Sequence, residues 1–182
     1  ARHALVDAAS ESELRAPLAL LEAALARDPD FGLARVSLAQ AWMQLGDRAF
    51  EPAAEAYGMA REQIERALLT APRLAEAHWA LGWMRLYHDW DWHGAEEALR
   101  FARSLEPGNA DIVAANAAVN YHLGRLERAV ALAREAAALD PLRAASFYNL
   151  AYFAFAAGDL ATAAAALEET SALVTNHTGA GL

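Results

Sequence analysis

The 182-residue chain contains no cysteine and no lysine. Without cysteine, disulfides, thiolate nucleophiles and cysteine-type zinc sites are excluded. Without lysine, Schiff-base chemistry and the lysine of a phosphate-binding loop are excluded as well. All 15 basic residues are arginine, and 24 acidic residues leave a net charge of −9. That deficit of positive charge argues against a nucleic-acid surface. No apolar run reaches the length of a membrane span, and no signal peptide opens the chain. A cytoplasmic location without membrane contact is the expectation. The chain opens on Ala1 rather than methionine, as a fragment or a processed product would.

What is present is apolar and helix-forming. Hydrophobic residues make up 56% and charged residues 21%, too apolar for a disordered acidic tail. Alanine alone is roughly a quarter of the chain, which points to closely packed helices with small contact residues. Arginine in place of lysine, with so much alanine, suggests a GC-rich bacterial genome.

Punctuation recurs at a fixed period. Pro29, Pro72, Pro107 and Pro141 each follow a helical apolar pattern, at intervals of 43, 35 and 34. Gly124-Arg125-Leu126 and Gly158-Asp159-Leu160 lie 34 apart, and Gly46-Asp47 takes the same place in an earlier unit. Glycine adopts the left-handed conformation that ends a helix, and proline cannot continue one. Each unit therefore reads helix, glycine turn, helix, proline turn. The spacing predicts helices over Ala110–Leu123, Leu126–Leu139, Ala144–Ala157 and Leu160–Val174, with a long helix over Glu51–Leu69. Pro17 is tolerable only in a first turn, which places the start of the opening helix near Glu13.

This pattern resembles the tetratricopeptide repeat, a helix–turn–helix unit of 34 residues. Gly124, Leu126, Ala129, Ala133, Ala136 and Pro141 match its later markers in one unit. Phe147, Leu150, Ala151, Gly158, Leu160, Ala163 and Leu167 match in the next. Leu81, Gly82, Ala95, Leu99, Ala102 and Pro107 match with one extra residue in the turn. Leu38, Ala39, Trp42, Gly46, Ala60, Ala67 and Pro72 match in a unit whose second half carries a nine-residue insertion. The resemblance implies an all-α, right-handed superhelix of about five antiparallel hairpins. A single domain, 1–182, would hold a degenerate unit 1–31, units 32–74, 75–109, 110–143 and 144–175, and a tail 176–182 with a glycine-rich, fraying end. The phrases Leu74-Ala75-Glu76-Ala77-His78, Gly82-Trp83 and Asp89-Trp90-Asp91-Trp92 look like the repeat segment of bacterial signalling proteins. In that group the repeats follow winged-helix, serine/threonine kinase or nucleotide cyclase domains. No motif of those effector domains occurs in this chain.

In the repeat family the first helix of each unit lines the concave face. Carried over by position, the groove comprises Leu33, Val36, Gln40, Met43 and Gln44, then Glu76, Trp79, Trp83, Leu86 and Tyr87. It continues with Asp111, Ala114, Ala118, Tyr121 and His122, then Ala145, Tyr148, Tyr152, Phe155 and Ala156. Trp79, Trp83 and Tyr87 share one helix face, as do Tyr148, Tyr152 and Phe155. Such aromatic stripes are either an amphipathic groove or ordinary core; Tyr and Trp carry much of the energy at interfaces.

Other features read as structural. Trp90 and Trp92 flank a turn, Trp92 where the family usually packs the hairpin with a large residue; the alternative is an exposed anchor for a partner. His88 and His93 with Asp89 and Asp91 do not converge as zinc ligands do. His3, His78 and His177 suggest nothing specific, and no Gly-x-Ser-x-Gly elbow is present. Arg85 and Asn116 stand where the family prefers large apolar residues. Arg85 is the groove-side arginine to watch, and with no lysine and Asn149 alone there is no carboxylate clamp. The expectation is a scaffold that binds a protein or peptide segment, not an enzyme, with no cofactor and no metal. The alternatives are a small-ligand sensory module switching a linked effector, or self-association as a homodimer through a terminal repeat.

Overall fold

Alanine-rich stretches punctuated by glycine and proline fold into helices joined by short turns. The computed structural model describes residues 10–179, with side chains through Thr175. Its helices are α1 (Glu11–Arg27), α2 (Gly32–Asp47), α3 (Ala53–Thr70), α4 (Ala75–Tyr87), α5 (Trp92–Leu105), α6 (Ala110–His122), α7 (Leu126–Leu139), α8 (Ala144–Ala156) and α9 (Leu160–Gly179). The described residues contain no strand. His3 lies outside the described residues, as do 180–182 of the expected tail, and the His177 side chain is not described. The backbone of α9 runs on to Gly179, so the expected break near Val174 is absent.

Two compact units form, Ala1–Leu105 and Glu106–Leu182. In the first unit α2 pairs with α3 and α4 with α5, α1 packs on α2, and α4 touches both α2 and α3. Ala39, Ala60, Ala67, Ala77 and Ala80 surround Ile64 and Met84 in its main core. A second cluster joins Leu14, Leu18 and Leu21 of α1 to Leu38 and Leu45 of α2. Small residues let these helices approach closely. At the α4–α5 crossing, a Cβ on Gly82 would sit 2.5 Å from Leu99 Cγ, so only glycine fits there. Full burial of Ile64, Met84 and Leu99 contributes roughly 1.5–3 kcal/mol each. In the second unit α6 pairs with α7 and α8 with α9, while α8 packs on α6 and α7. Ile112, Val113, Val119 and Ala133 are at most 1% exposed there.

All four described hairpins close through a backbone bond from the residue after a left-handed one. The amides of Phe50, Asp91, Arg125 and Asp159 donate to the carbonyls of Leu45, Arg85, Asn120 and Ala154, each at 2.9 Å. This is the helix-ending bond made when the preceding residue is left-handed. In the second unit that residue is the expected glycine, Gly124 (φ 73°) or Gly158 (φ 80°). In the first unit it is Ala49 (φ 56°) or Trp90 (φ 57°). Gly46 therefore does not make the turn assigned to it. It lies inside α2, where a Cβ would come within 3.0 Å of Ala56 Cβ, and α2 extends to Asp47. The extra residue expected in the Ala75 unit is real. Asp91 reaches back six residues, where the other three donors reach back five.

The opening helix also departs from expectation. Ser10 and Glu13 form a reciprocal capping box, which starts α1 at Glu11 rather than near Glu13. Pro17 then falls in the second turn, and it is buried. Proline has no N–H to offer the carbonyl four residues back, so the cap and the α1–α2 cluster hold this helix together. Pro52 likewise moves the start of the long helix, as the N-cap of α3, from Glu51 to Ala53.

Candidate functional site

The groove positions divide according to what packs beside them. Val36 and Met43 are 3% exposed and belong to the core around Ile64. Leu86 is fully buried. Met43 is therefore corrected from a groove residue to a core residue: the face of α2 that carries it meets α4. Phe155, at the same register in α8, is 68% exposed, because no described helix covers that side of α8. Gln40, Gln44, Glu76, Trp79 and Trp83 are half-buried, and Tyr87 is exposed at the end of α4. In the second unit Asp111, Tyr121 and His122 are half-buried, while Tyr148 and Tyr152 are exposed.

In the first unit the helical spacing builds a ladder. The Trp79 and Trp83 rings stack at 5.6 Å, and Trp83 meets Tyr87 at 4.6 Å. Both tryptophans lean on the core, so one side of the ladder is fixed by packing. The adjoining turn is fixed as well. Tyr57 stacks on His88 at 3.9 Å, and its hydroxyl donates to Asp47 at 2.5 Å. Burial, reinforced by that carboxylate, raises the Tyr57 phenol well above its ordinary range. Arg61 anchors Asp89 at 2.7 Å.

In the second unit two tyrosines meet across helices. The hydroxyls of Tyr121 on α6 and Tyr152 on α8 lie 3.0 Å apart, and either can donate. Buried Phe153 supports both rings, at 5.1 Å from Tyr121 and 5.8 Å from Tyr152. The bond to Tyr152, with a smaller effect of burial, raises the Tyr121 phenol. Burial lowers the His122 imidazole below its ordinary value. Arg143, at the start of α8, pairs with Asp111 of α6. Neither Arg143 nor Phe153 was singled out from the sequence. Arg143 precedes a helix by one residue, and Phe153 shares its helix with four other aromatic residues, so neither stands out by type.

The remaining candidates resolve into structure. Arg85 turns its guanidinium toward its own hairpin. Its guanidinium donates to the Gly94 carbonyl at 3.0 Å and ties α4 to the start of α5. Asn116 is buried and donates to the Ile112 carbonyl one turn back, at 2.9 Å. Of the pair expected to be structural, Trp90 is 69% exposed and is not a packing residue, while Trp92, expected at the packing position, is 37% exposed. Asp91 accepts from the Gly94 amide, as a turn residue does. Among the described residues no group of three or more His, Asp or Glu could hold a metal ion. No described helix is long and apolar enough to cross a membrane. What the faces offer is aromatic area with polar tips, suited to binding.

Known structures share this arrangement. PilW, a widely conserved type IV pilus biogenesis factor, matches 90% of this chain and 71% of its own at a TM-score of 0.73 and 21% identity. MamA from Desulfovibrio magneticus RS-1 matches 96% of this chain and 93% of its own, at 0.65 and 17%. YrrB, a TPR protein with an unusual peptide-binding site, matches 92% and 81%, at 0.60 and 19%. This is the tetratricopeptide-repeat fold. No family model matches the chain, and neither does any curated protein. At these identities the likeness concerns the tetratricopeptide fold and leaves the ligand open. The all-α fold class expected from the repeat markers is the one found.

Proposed function

We propose that the chain is an interaction scaffold whose first helices bind a protein or peptide segment. The Trp79–Trp83–Tyr87 ladder carries this reading. Its inner edge is held by the core, and its half-buried and exposed rings offer aromatic contact area. A preformed row of rings lowers the ordering cost of an incoming segment. Glu76, Gln40 and Gln44 on the same register set polarity, and the net charge of −9 favours basic or neutral segments through steering. In the second unit Asp111, Tyr121, His122, Tyr148, Tyr152 and Phe155 make a separate aromatic face. The peptide-binding site reported for YrrB, on the same fold, supports the reading. The finer proposal is that the chain is a regulatory segment of a bacterial signalling protein working in the cytoplasm.

The test is selection of displayed random peptides on the immobilised chain, followed by tryptophan-fluorescence titration. Selected peptides are expected to lose at least tenfold in affinity with Trp83→Ala, while Leu69→Ala, at an exposed site on α3, leaves binding unchanged. Failure to select any peptide, or equal binding by the Trp83 variant, would sink the proposal. The size of the native polypeptide in its source cells separates a free adaptor from a regulatory segment.

A further inference from the structure

One glycine of α3 meets no packing need. Gly58 lies in the helix interior, where glycine is destabilising. Close neighbours account for Gly46 and Gly82, whereas a Cβ on Gly58 would meet nothing within 4 Å. That space belongs to a cavity of about 470 Å³, the size of a small-molecule site. Trp42 of α2, Glu51 of the turn, and Glu55, Gly58, Met59 and Glu62 of α3 line it.

The cavity stands where this hairpin is longer than the others. Helices α5, α7 and α9 start three residues before their markers Ala95, Ala129 and Ala163, but α3 starts seven before Ala60. The added helical turn, 53–56, supplies Glu55, and the loop before it supplies Glu51. The other three described hairpins close without such an addition.

Charge and apolar surface alternate along the wall. Glu55 and Glu62 lie two helical turns apart on one face, about 10 Å along the axis, with Gly58 and Met59 between them. Trp42 is half-buried and held by both core clusters of the unit. The lining contains no basic residue. Arg15 reaches Glu51 at 2.5 Å and Arg66 reaches Glu62 at 2.6 Å from outside it. Both arginines are exposed, and such pairs yield readily to a competing cation.

A carboxylate at each end, with indole and thioether surface between, matches a methylene chain that ends in ammonium groups. We propose that this cavity binds a linear aliphatic diamine or polyamine. One ammonium donates to Glu55 and another to Glu62, while the methylenes lie against Trp42 and Met59. Glycine at 58 leaves the room for the chain. The site shares no residue with the aromatic ladder and does not depend on it.

Calorimetric titration of the chain with spermidine tests the proposal. One saturable site is expected, with butylamine at least tenfold weaker because it has a single ammonium. Glu55→Gln should weaken spermidine binding about five- to tenfold. Glu65→Gln removes the same charge at an exposed α3 position outside the lining, and should change binding less than twofold. Gly58→Leu should fill the cavity and abolish binding without lowering the thermal midpoint, since leucine favours a helix over glycine. No saturable binding at millimolar spermidine overturns the proposal. Equal losses from Glu55→Gln and Glu65→Gln overturn it as well, because they mark diffuse attraction to an acidic chain. Undiminished binding by Gly58→Leu, or equal affinity for butylamine, does the same.

Discussion

The first unit closes its hairpins on Ala49 and Trp90, and the second closes them on Gly124 and Gly158. In all four the next amide bonds back to the helix just ended, at the same length, across six residues after Trp90 and five elsewhere. Left-handed backbone is nearly free for glycine and costs roughly 1–2 kcal/mol for other residues. The first unit bears that strain because neighbours fix the chain on both sides. Phe50 packs on the α1–α2 cluster after one turn. Arg85, Asp89 and Asp91 are tied down around the other. Glycine chooses a turn locally, whereas packing can impose the same turn on a residue that resists it.

The units also differ at the crossing inside a hairpin. Gly82 faces Leu99 in the first unit. By helix register the corresponding pair in the second is Ala117 and Ala133, both buried. Exchanging one solution for the other should give the largest effect. Leu99→Ala is expected to cost about 2–5 kcal/mol in urea unfolding. Gly82→Ala should cost about 1–3 kcal/mol by overpacking. Together they recreate the alanine pair, and the double variant should cost clearly less than the sum. Additive losses would show that the two positions are not in contact.

Two phenols extend the comparison. Tyr57 is buried against Asp47, while Tyr121 is half-buried against another phenol. The folded state holds the Tyr57 proton above the ordinary value of 10, so its contribution is full below pH 10 and is lost as pH rises beyond it. Tyr57→Phe should cost about 2 kcal/mol near neutrality through the lost charged hydrogen bond. The variant should also show a shallower loss of stability above pH 10. An unchanged alkaline limb would assign that loss to other groups.

Turn substitutions come next in size. Gly124→Ala should destabilise by about 1 kcal/mol, because it places a Cβ at positive φ. Ala49→Gly should act in the opposite sense by about 0.5 kcal/mol, strain relief exceeding the added chain entropy. Shifts of equal sign in denaturant midpoint would contradict the account of strain. The smallest effect belongs to His122. Its folded value lies below 6.5, so the unfolded chain takes up protons first. Stability is full above pH 6.5 and falls as pH drops below it. Asn in its place should flatten stability between pH 5 and 7 by a few tenths of a kcal/mol. A slope unchanged by the substitution would remove His122 from the account.

Much of this was legible beforehand, and the failures are instructive. Leu126–Leu139 has the bounds expected from Gly124 and Pro141. Pro17 misled, because the capping residues that start α1 earlier outweigh a helix-breaking residue further in. Gly46 misled because glycine serves close approach as well as turns, and nothing nearby in the chain tells the two apart. Arg85 stands out in the sequence as a groove-side charge where a large apolar residue is expected, and its partner is a backbone carbonyl nine residues on.

By itself the sequence determined the helices, the hairpins and their period, because capping, glycine and proline act within a few residues of where they stand. It also determined which residues share a helix face, since that follows from the helical repeat alone. Only the tertiary structure decided which of those faces are open. Met43 and Phe155 hold the same register, and one is core while the other stands in water. The difference is a neighbouring helix, and burial depends on what a distant part of the chain brings alongside.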